Sequence, residues 1–173
     1  MMAAIDAQYA ESSAAVACVC FSDWSATAPE SEYTACVHPI APYTPGEFWR
    51  RELPCILQVL ARLSELPGVI LIDGYVWLDS NGRKGLGAHL HAALDGRSAV
   101  VGIAKHSFHG ASDAAAVTRG KSERPLYVTS EGLPLDVAAE GVRAMVGQYR
   151  LPTLLKRVDQ LARQALVQSA GLS

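Results

Sequence analysis

The 173-residue chain contains no apolar run that approaches the ~20 residues needed by a membrane-spanning helix. Its first residues lack the basic start and the cleavage site of a signal peptide. We therefore expect a cytoplasmic protein with no membrane partner. The chain also has no internal repeat, low-complexity tract or linker, so the sequence predicts a single domain that spans residues 1–173.

The chain also has few cysteines and no net positive charge. The four cysteines lack the paired Cys-x-x-Cys spacing of a zinc site, and their apolar surroundings favour buried free thiols. The formal net charge of -2 argues against a protein that coats nucleic acid nonspecifically, because counterion release needs many Lys and Arg on one face. An enzyme with a local basic rim remains compatible with this charge.

The apolar residues that are present predict an α/β protein with a mixed sheet and flanking helices. The first three runs predict an antiparallel meander, because the connections between them are too short to hold a crossover helix. Strand, helix and strand then follow in order, which predicts parallel pairing. The predicted strands are 2–8, 14–21, 33–37, 69–73, 99–104 and 125–129, and the predicted helices are 47–66, 87–94, 135–148 and 153–168.

Three carboxylates lie beside apolar runs or within an apolar helix. Asp6 follows a short apolar run, Asp73 ends the strand 69–73, and Glu52 lies in the helix 47–66. If the strand ends lie side by side, the acids converge where only a cation offsets their mutual repulsion. Metal-dependent phosphodiester cleavage uses such a cluster. Taken singly, Asp6 or Asp73 could cap a turn and Glu52 could be a solvated helix residue.

Six short segments in order along the chain add a more specific signal. They are 5–9 (IDAQY), 42–46 (PYTPG), 48–54 (FWRRELP), 71–74 (LIDG), 85–90 (GLGAHL) and 101–105 (VGIAK). In this order and at this spacing they resemble endonuclease V, the nuclease family that nicks nucleic acid near deaminated adenine. The resemblance covers nearly the whole chain.

The resemblance implies a ribonuclease H-like fold and an enzyme that acts on inosine-containing DNA or RNA. It implies that Asp6, Glu52 and Asp73 bind Mg²⁺ or Mn²⁺ and activate a water against a phosphodiester. Hard divalent ions prefer carboxylate oxygens, which agrees with this ligand set. It also puts Lys105 close to the active site, as a fourth catalytic residue that contacts phosphate or the carboxylates. A solvated lysine at a strand end is the alternative.

The loop 42–46 supplies the predicted contact with the altered base. Its two prolines fix the backbone, and a rigid loop can insert Tyr43 between bases at modest entropic cost. Reading an altered base requires its extrusion from the stack. A tyrosine packed over the sheet is the alternative. The predicted substrate-binding residues are Pro42, Tyr43, Thr44, Pro45, Gly46 and Gly74.

The chain departs from the family pattern in two places. The family's histidine-containing run after Asp-Gly is replaced by residues 75–84, which keep only its basic character. Leu133 stands where the family's Tyr-Val-Ser-Pro-Gly-His turn has a histidine near the metal. We therefore expect an introduced acid, Glu131 in preference to Asp79, to reach the metal directly or through water. Alternatively, both are exposed loop acids.

A small basic run is most simply interpreted as a solvated loop, and it consists of Arg119, Lys121 and Arg124. Contact with phosphate is the alternative. Two other functions also stay open. One is a nucleic-acid binding module of the same fold with weak or no chemistry. The other is a metal-dependent phosphatase built around Asp73, although Tyr75 occupies the position where such enzymes commonly have a second acid.

Overall fold

The computed structural model describes residues 1–41, 44, 46–108 and 113–170, and these form one mixed sheet with helices on both faces. The strands are β1 (Met2–Tyr9), β2 (Ala14–Phe21), β3 (Ser31–Val37), β4 (Val69–Asp73), β5 (Ala99–Ala104), β6 (Ala115–Val117) and β7 (Leu126–Glu131). Their order across the sheet is β3-β2-β1-β4-β5-β7-β6. The mixed sheet predicted from the sequence is confirmed.

The pairing pattern sets which strand ends share an edge. β1, β2 and β3 form the predicted antiparallel meander. β1, β4 and β5 run parallel to one another, so their carboxyl ends lie at the same edge of the sheet. β7 runs antiparallel to β5, and its carboxyl end therefore lies at the opposite edge.

The helices are α1 (Trp49–Leu60), α2 (Leu86–Ala93), α3 (Leu135–Ala144) and α4 (Thr153–Ala170). Side chains alternate between faces along a strand, so β1 buries Ala3 and Ile5 against α1 and α2, and Met2 and Ala4 against α3 and α4. Each face of the sheet thus carries its own apolar core. Within the described part of the chain, no helix is long and apolar enough to span a membrane.

Three features of the fold differ from the prediction. The helix predicted over 135–148 ends at Ala144, because the backbone of Met145 leaves the helical conformation. The helix predicted over 47–66 ends at Leu60, because the backbone N–H groups of Arg62 and Leu63 bond carbonyls three residues back and turn the chain toward β4. The strand β6 was not predicted. It has three residues and lies at the sheet edge, too short for an alternating apolar pattern to register.

Candidate active site

Asp6 and Asp73 are delivered to the same edge of the sheet by neighbouring parallel strands. Ile5 of β1 pairs with Ile72 of β4, so the next residue along each strand is the acid. The side chain of Asp73 is 43% exposed, whereas Asp6 is largely buried. The two carboxylates repel each other at this position, as the sequence predicts for strand ends that lie side by side.

Glu52 enters the same region from the first turn of α1. Together with Asp6 and Asp73 it lines a small pocket between the sheet and the helices α1 and α2. The pKa of Glu52 is raised to about 8, chiefly by burial. The Tyr9 hydroxyl opposes this rise, while the charges of Asp6 and Asp73 add to it.

Burial also raises the pKa of Asp6 to about 6, and the neighbouring charge of Asp73 contributes to the rise. The Gln8 amide, which donates a hydrogen bond to Asp6, acts in the opposite direction. Both acids therefore resist ionisation, chiefly because they are buried. Their oxygen donors suit a hard divalent cation, so the residues fit such an ion chemically.

The side chains as they stand do not enclose such an ion. Within residues 1–41, 44, 46–108 and 113–170, no three carboxylates, thiols or imidazoles form a metal-ligand set. One of the acids instead has an ammonium partner. The Nζ atom of Lys105 lies 2.5 Å from Oδ2 of Asp73.

Lys105 follows the carboxyl end of β5, the strand next to β4. Burial lowers the pKa of Lys105, but its bond to Asp73 and the charges of Asp6 and Asp159 outweigh that effect and raise it above the ordinary value. The Lys105 side chain is nevertheless about 40% exposed. Lys105 contacts the carboxylate cluster.

Asp159, on α4, is a fourth acid of this cluster and was missed by the sequence analysis. The Gln8 amide donates to Oδ2 of Asp6 at 3.2 Å and to Oδ1 of Asp159 at 3.3 Å, so one side chain bridges both acids. Bonds from Arg163 lower the pKa of Asp159. Asp159 belongs to no recognised motif, and only the packing of α4 on β1 reveals its position.

Two glycines allow the chain to leave β4 beside the site. Gly74 has a φ of +126°, which favours glycine. At Gly102, a Cβ atom would lie 2.6 Å from the carbonyl oxygen of Gly74, so a side chain there would block the chain that crosses over β5. The crossing chain carries Tyr75, whose hydroxyl donates to the carbonyl of His106 and accepts from the backbone N–H of Phe108.

The carboxylates open into a cavity of about 530 Å³. Its other walls carry aromatic and basic side chains and glycines from the segments around α1 and after β4 and β5. They include Gly46, Trp49, Gly74, Tyr75, Arg83, Lys84 and Phe108.

The predicted substrate-binding loop is covered only in part. Pro42, Tyr43 and Pro45 lie outside the described residues. Thr44 is exposed, and its carbonyl accepts a hydrogen bond from the backbone N–H of Glu47. Gly46 and Gly74 both line the cavity, so the structure brings these two members of the predicted set beside the carboxylates.

The expectation that Glu131 reaches the metal is wrong. Glu131 pairs with Val100 at the amino end of β5, four residues before Ala104, so it lies at the edge of the sheet opposite the carboxylates. There it accepts a hydrogen bond from the indole N–H of Trp77 at 2.8 Å. Leu133 follows on the same side and is partly buried against the apolar core.

Asp79 has a local structural role instead of the predicted one. Its Oδ1 atom accepts hydrogen bonds from the backbone N–H groups of Asn81 and Arg83, which closes the loop after β4. It lines a different cavity, between this loop and β7. The expectation for Asp79 is therefore wrong as well.

The sheet order, with Asp73 at the carboxyl end of β4 and Asp6 beside it on β1, defines a ribonuclease H-like protein. A crystal structure of endonuclease V from Streptomyces avermitilis has a TM-score of 0.77 and 27% identity, covering 98% of this chain and 82% of that one. An endonuclease V from Ciona intestinalis, in complex with a 23mer DNA containing an inosine followed by a ribo-adenosine, has a TM-score of 0.83 and 21% identity over 96% of this chain and 85% of that one.

Sequence comparison identifies the family. The family model described as Endonuclease V matches residues 1–132. An endonuclease V from Roseiflexus castenholzii is 31% identical over 96% of this chain and 82% of its own length. The chain belongs to the endonuclease V family. It spans 60% to 82% of the length of the curated relatives compared, and less than two thirds of several of them.

Proposed function

We propose that the protein is a metal-dependent endonuclease that hydrolyses a phosphodiester near inosine in DNA or RNA. The observation that carries the proposal is the convergence of Asp6, Glu52 and Asp73 with Lys105 in one cavity. The cluster matches the chemistry that the family relationship implies. The activity would be carried by a single domain, and the protein would act in nucleic-acid repair.

The proposed cofactor is Mg²⁺ or Mn²⁺, which Asp6, Glu52 and Asp73 would hold. Such an ion, when bound, stabilises the charge that develops on a phosphate and lowers the pKa of a water. The raised pKa values of Asp6 and Glu52 support this assignment, because a nearby cation would offset the repulsion that contributes to them. Asp159 would support Asp6 through the amide of Gln8.

Lys105 would act on the phosphate itself. Its ammonium is held by Asp73 and keeps its charge, so it can donate to a phosphate oxygen that gains negative charge during cleavage. About 40% of its side chain is exposed, which leaves it accessible from the cavity. An ammonium fixed in this position needs little rearrangement when the substrate binds.

The aromatic walls of the cavity support a nucleic-acid substrate. Trp49, Tyr75 and Phe108 line the cavity together with the acids. The Trp49 ring stacks on His89 and Tyr75 is buried, whereas Phe108 is exposed, so Phe108 is the ring on which an extruded base would gain stability by stacking. The predicted wedge, Tyr43, lies outside the described residues and precedes Gly46, which lines the cavity, by three positions in the sequence. The inosine-containing DNA bound by the Ciona relative favours inosine as the altered base.

A nicking assay tests this proposal. Labelled DNA and RNA strands that contain one inosine are incubated with the protein and Mg²⁺ or Mn²⁺, beside matched strands with adenosine and reactions with EDTA. We expect cleavage of the inosine strands only, and only with the metal. Binding of inosine strands without any cleavage would instead support the alternative of a binding module that lacks chemistry.

A further inference from the structure

A second cavity of about 410 Å³ adjoins the carboxylate cavity and is basic. Lys105 lines both cavities, so the two meet at that residue. No acidic side chain of the described residues lines the second cavity. Its other lining residues are His106, Ser107, Arg124, Pro125, Tyr127 and Arg150. Three permanent positive charges thus gather in a chain whose net charge is -2.

The register of the sheet sets where the basic cavity lies. Ala104, the last residue of β5, pairs with Tyr127 near the start of β7. The segment that enters β7 therefore lies beside the carboxyl end of β5, at the same edge as Asp6 and Asp73. A nucleic-acid strand that is bound across the carboxylates would pass over the basic cavity where it continues beyond Lys105.

Arg150 holds the two walls of the basic cavity together. Its guanidinium donates to the carbonyl of Lys105 and, at 2.6 Å, to the carbonyl of Pro125. Its Nε atom is buried and has no hydrogen-bond partner among the described residues. Arg150 thus fixes the backbone of the lysine that contacts Asp73, and the basic cavity is tied directly to the proposed catalytic cluster.

Arg124 supplies the accessible charge. Its side chain is exposed and forms no ion pair within the described part of the chain. Arg119, from the same basic run, is buried and donates to the carbonyls of Arg143, Met145 and Tyr149, so it has a structural role. The solvated-loop interpretation therefore fails for Arg119, and Arg124 is the member of the run that faces a cavity.

We propose that the basic cavity binds a backbone phosphate that flanks the scissile phosphate of the substrate strand. Arg124 would donate to the phosphate oxygens, the Tyr127 and Ser107 hydroxyls would complete the contact, and Arg150 would position the walls. Guanidinium and hydroxyl groups are the usual donors to phosphate, and such contacts fix a strand's register without reading its sequence. This inference rests on the proposed endonuclease function.

The test compares Arg124→Gln with Arg62→Gln. Arg62 is also exposed and has no ion-pair partner among the described residues, but it lies between α1 and β4, away from both cavities. Cleavage of a single-stranded inosine oligonucleotide is measured at several salt concentrations. We expect Arg124→Gln to raise KM roughly three- to tenfold with kcat nearly unchanged, and to reduce the salt slope by about 0.7. Arg62→Gln should match the wild type.

Strands with a single neutral methylphosphonate identify the phosphate. At one position that flanks the scissile bond, the methylphosphonate should weaken wild-type binding by the same factor as Arg124→Gln. The two changes together should then reduce the affinity no more than either change alone. If Arg124→Gln equals Arg62→Gln on every strand, or if its effect adds fully to that of every methylphosphonate, the inference is overturned.

Failure of the proposed function gives a different result. If the wild type cleaves no inosine strand, that function fails, and direct binding of an unmodified single strand then decides the basic cavity. A loss of affinity in Arg124→Gln but not in Arg62→Gln supports a phosphate subsite. Equal affinities overturn it.

Discussion

The Nζ atom of Lys105 lies 2.5 Å from Oδ2 of Asp73, across the neighbouring carboxyl ends of β5 and β4. The contact neutralises one acid of a crowded cluster and keeps the lysine charged. Both side chains are about two-fifths exposed, so the ion pair contributes at most about 1 kcal/mol to the free energy of unfolding. The ion pair therefore adds little stability, and we assign its main role to the proposed phosphate contact of Lys105.

Lys105→Met should lower kcat/KM for an inosine strand by roughly 100-fold, because the ammonium no longer meets the charge that develops on the phosphate. The free energy of unfolding should change by less than about 1 kcal/mol. Single-turnover cleavage and urea unfolding measure the two quantities. Lys156→Met, on the exposed surface of α4, is the control and should keep full activity. Equal activities of the two variants would remove Lys105 from the mechanism.

Glu52→Gln should stabilise the metal-free protein at alkaline pH. Since the folded state raises the pKa of Glu52 from 4.5 to about 8, ionisation of this group costs stability progressively as the pH rises through that window. The free energy of unfolding of the variant minus that of the wild type should be small at pH 4 and on the order of 5 kcal/mol at pH 9. Urea unfolding in EDTA measures it, with Glu65→Gln, an exposed acid, as the control. A difference that is independent of pH would contradict the burial assigned to Glu52.

Asp159→Asn should raise the Mg²⁺ concentration needed for half-maximal cleavage by roughly 10- to 100-fold, as loss of a supporting partner around a metal site does. The asparagine keeps the size of the side chain but loses the charge that lies beside Gln8 and Asp6. Metal titrations of the nicking rate measure the effect. Asp136→Asn, on the exposed face of α3, should leave the titration unchanged. Identical curves for Asp159→Asn and the wild type would exclude Asp159 from the cluster.

Tyr43→Ala should weaken binding of an inosine strand by about 1 to 3 kcal/mol, because a wedge acts through stacking on bases. Binding of a matched adenosine strand should change much less, and the metal titration should stay unchanged. Equal losses on both strands would make Tyr43 a general contact and not the residue that recognises the altered base.

The sequence predicts the local part of this site well. Apolar runs place Asp6 and Asp73 near strand ends and helical spacing places Glu52 on α1, whereas the family resemblance singles these three acids out. Parallel pairing of β4 with β5 then follows from the strand-helix-strand order. These residues could be predicted because each lies next to a strong periodic signal, and the family motifs supplied their order.

The rest of the site depends on strand order and helix packing, which no local pattern encodes. The expectation for Glu131 failed because β7 runs antiparallel to β5, which carries its last residue to the opposite edge. Asp159 was missed because an acid on an amphipathic helix normally faces solvent, and only the position of α4 over β1 brings it to Gln8. The basic cavity likewise joins residues 105, 124 and 150, which are far apart along the chain.

Single-turnover cleavage by Asp73→Asn tests the central claim most directly, namely that the carboxylate cluster carries the chemistry. The variant keeps the shape of the side chain and removes one charge, and circular dichroism verifies the fold. Wild type and variant are compared on one labelled inosine strand at saturating Mg²⁺. The account predicts that the variant is slower by at least roughly 100-fold. A folded variant whose rate is within tenfold of the wild type would contradict it.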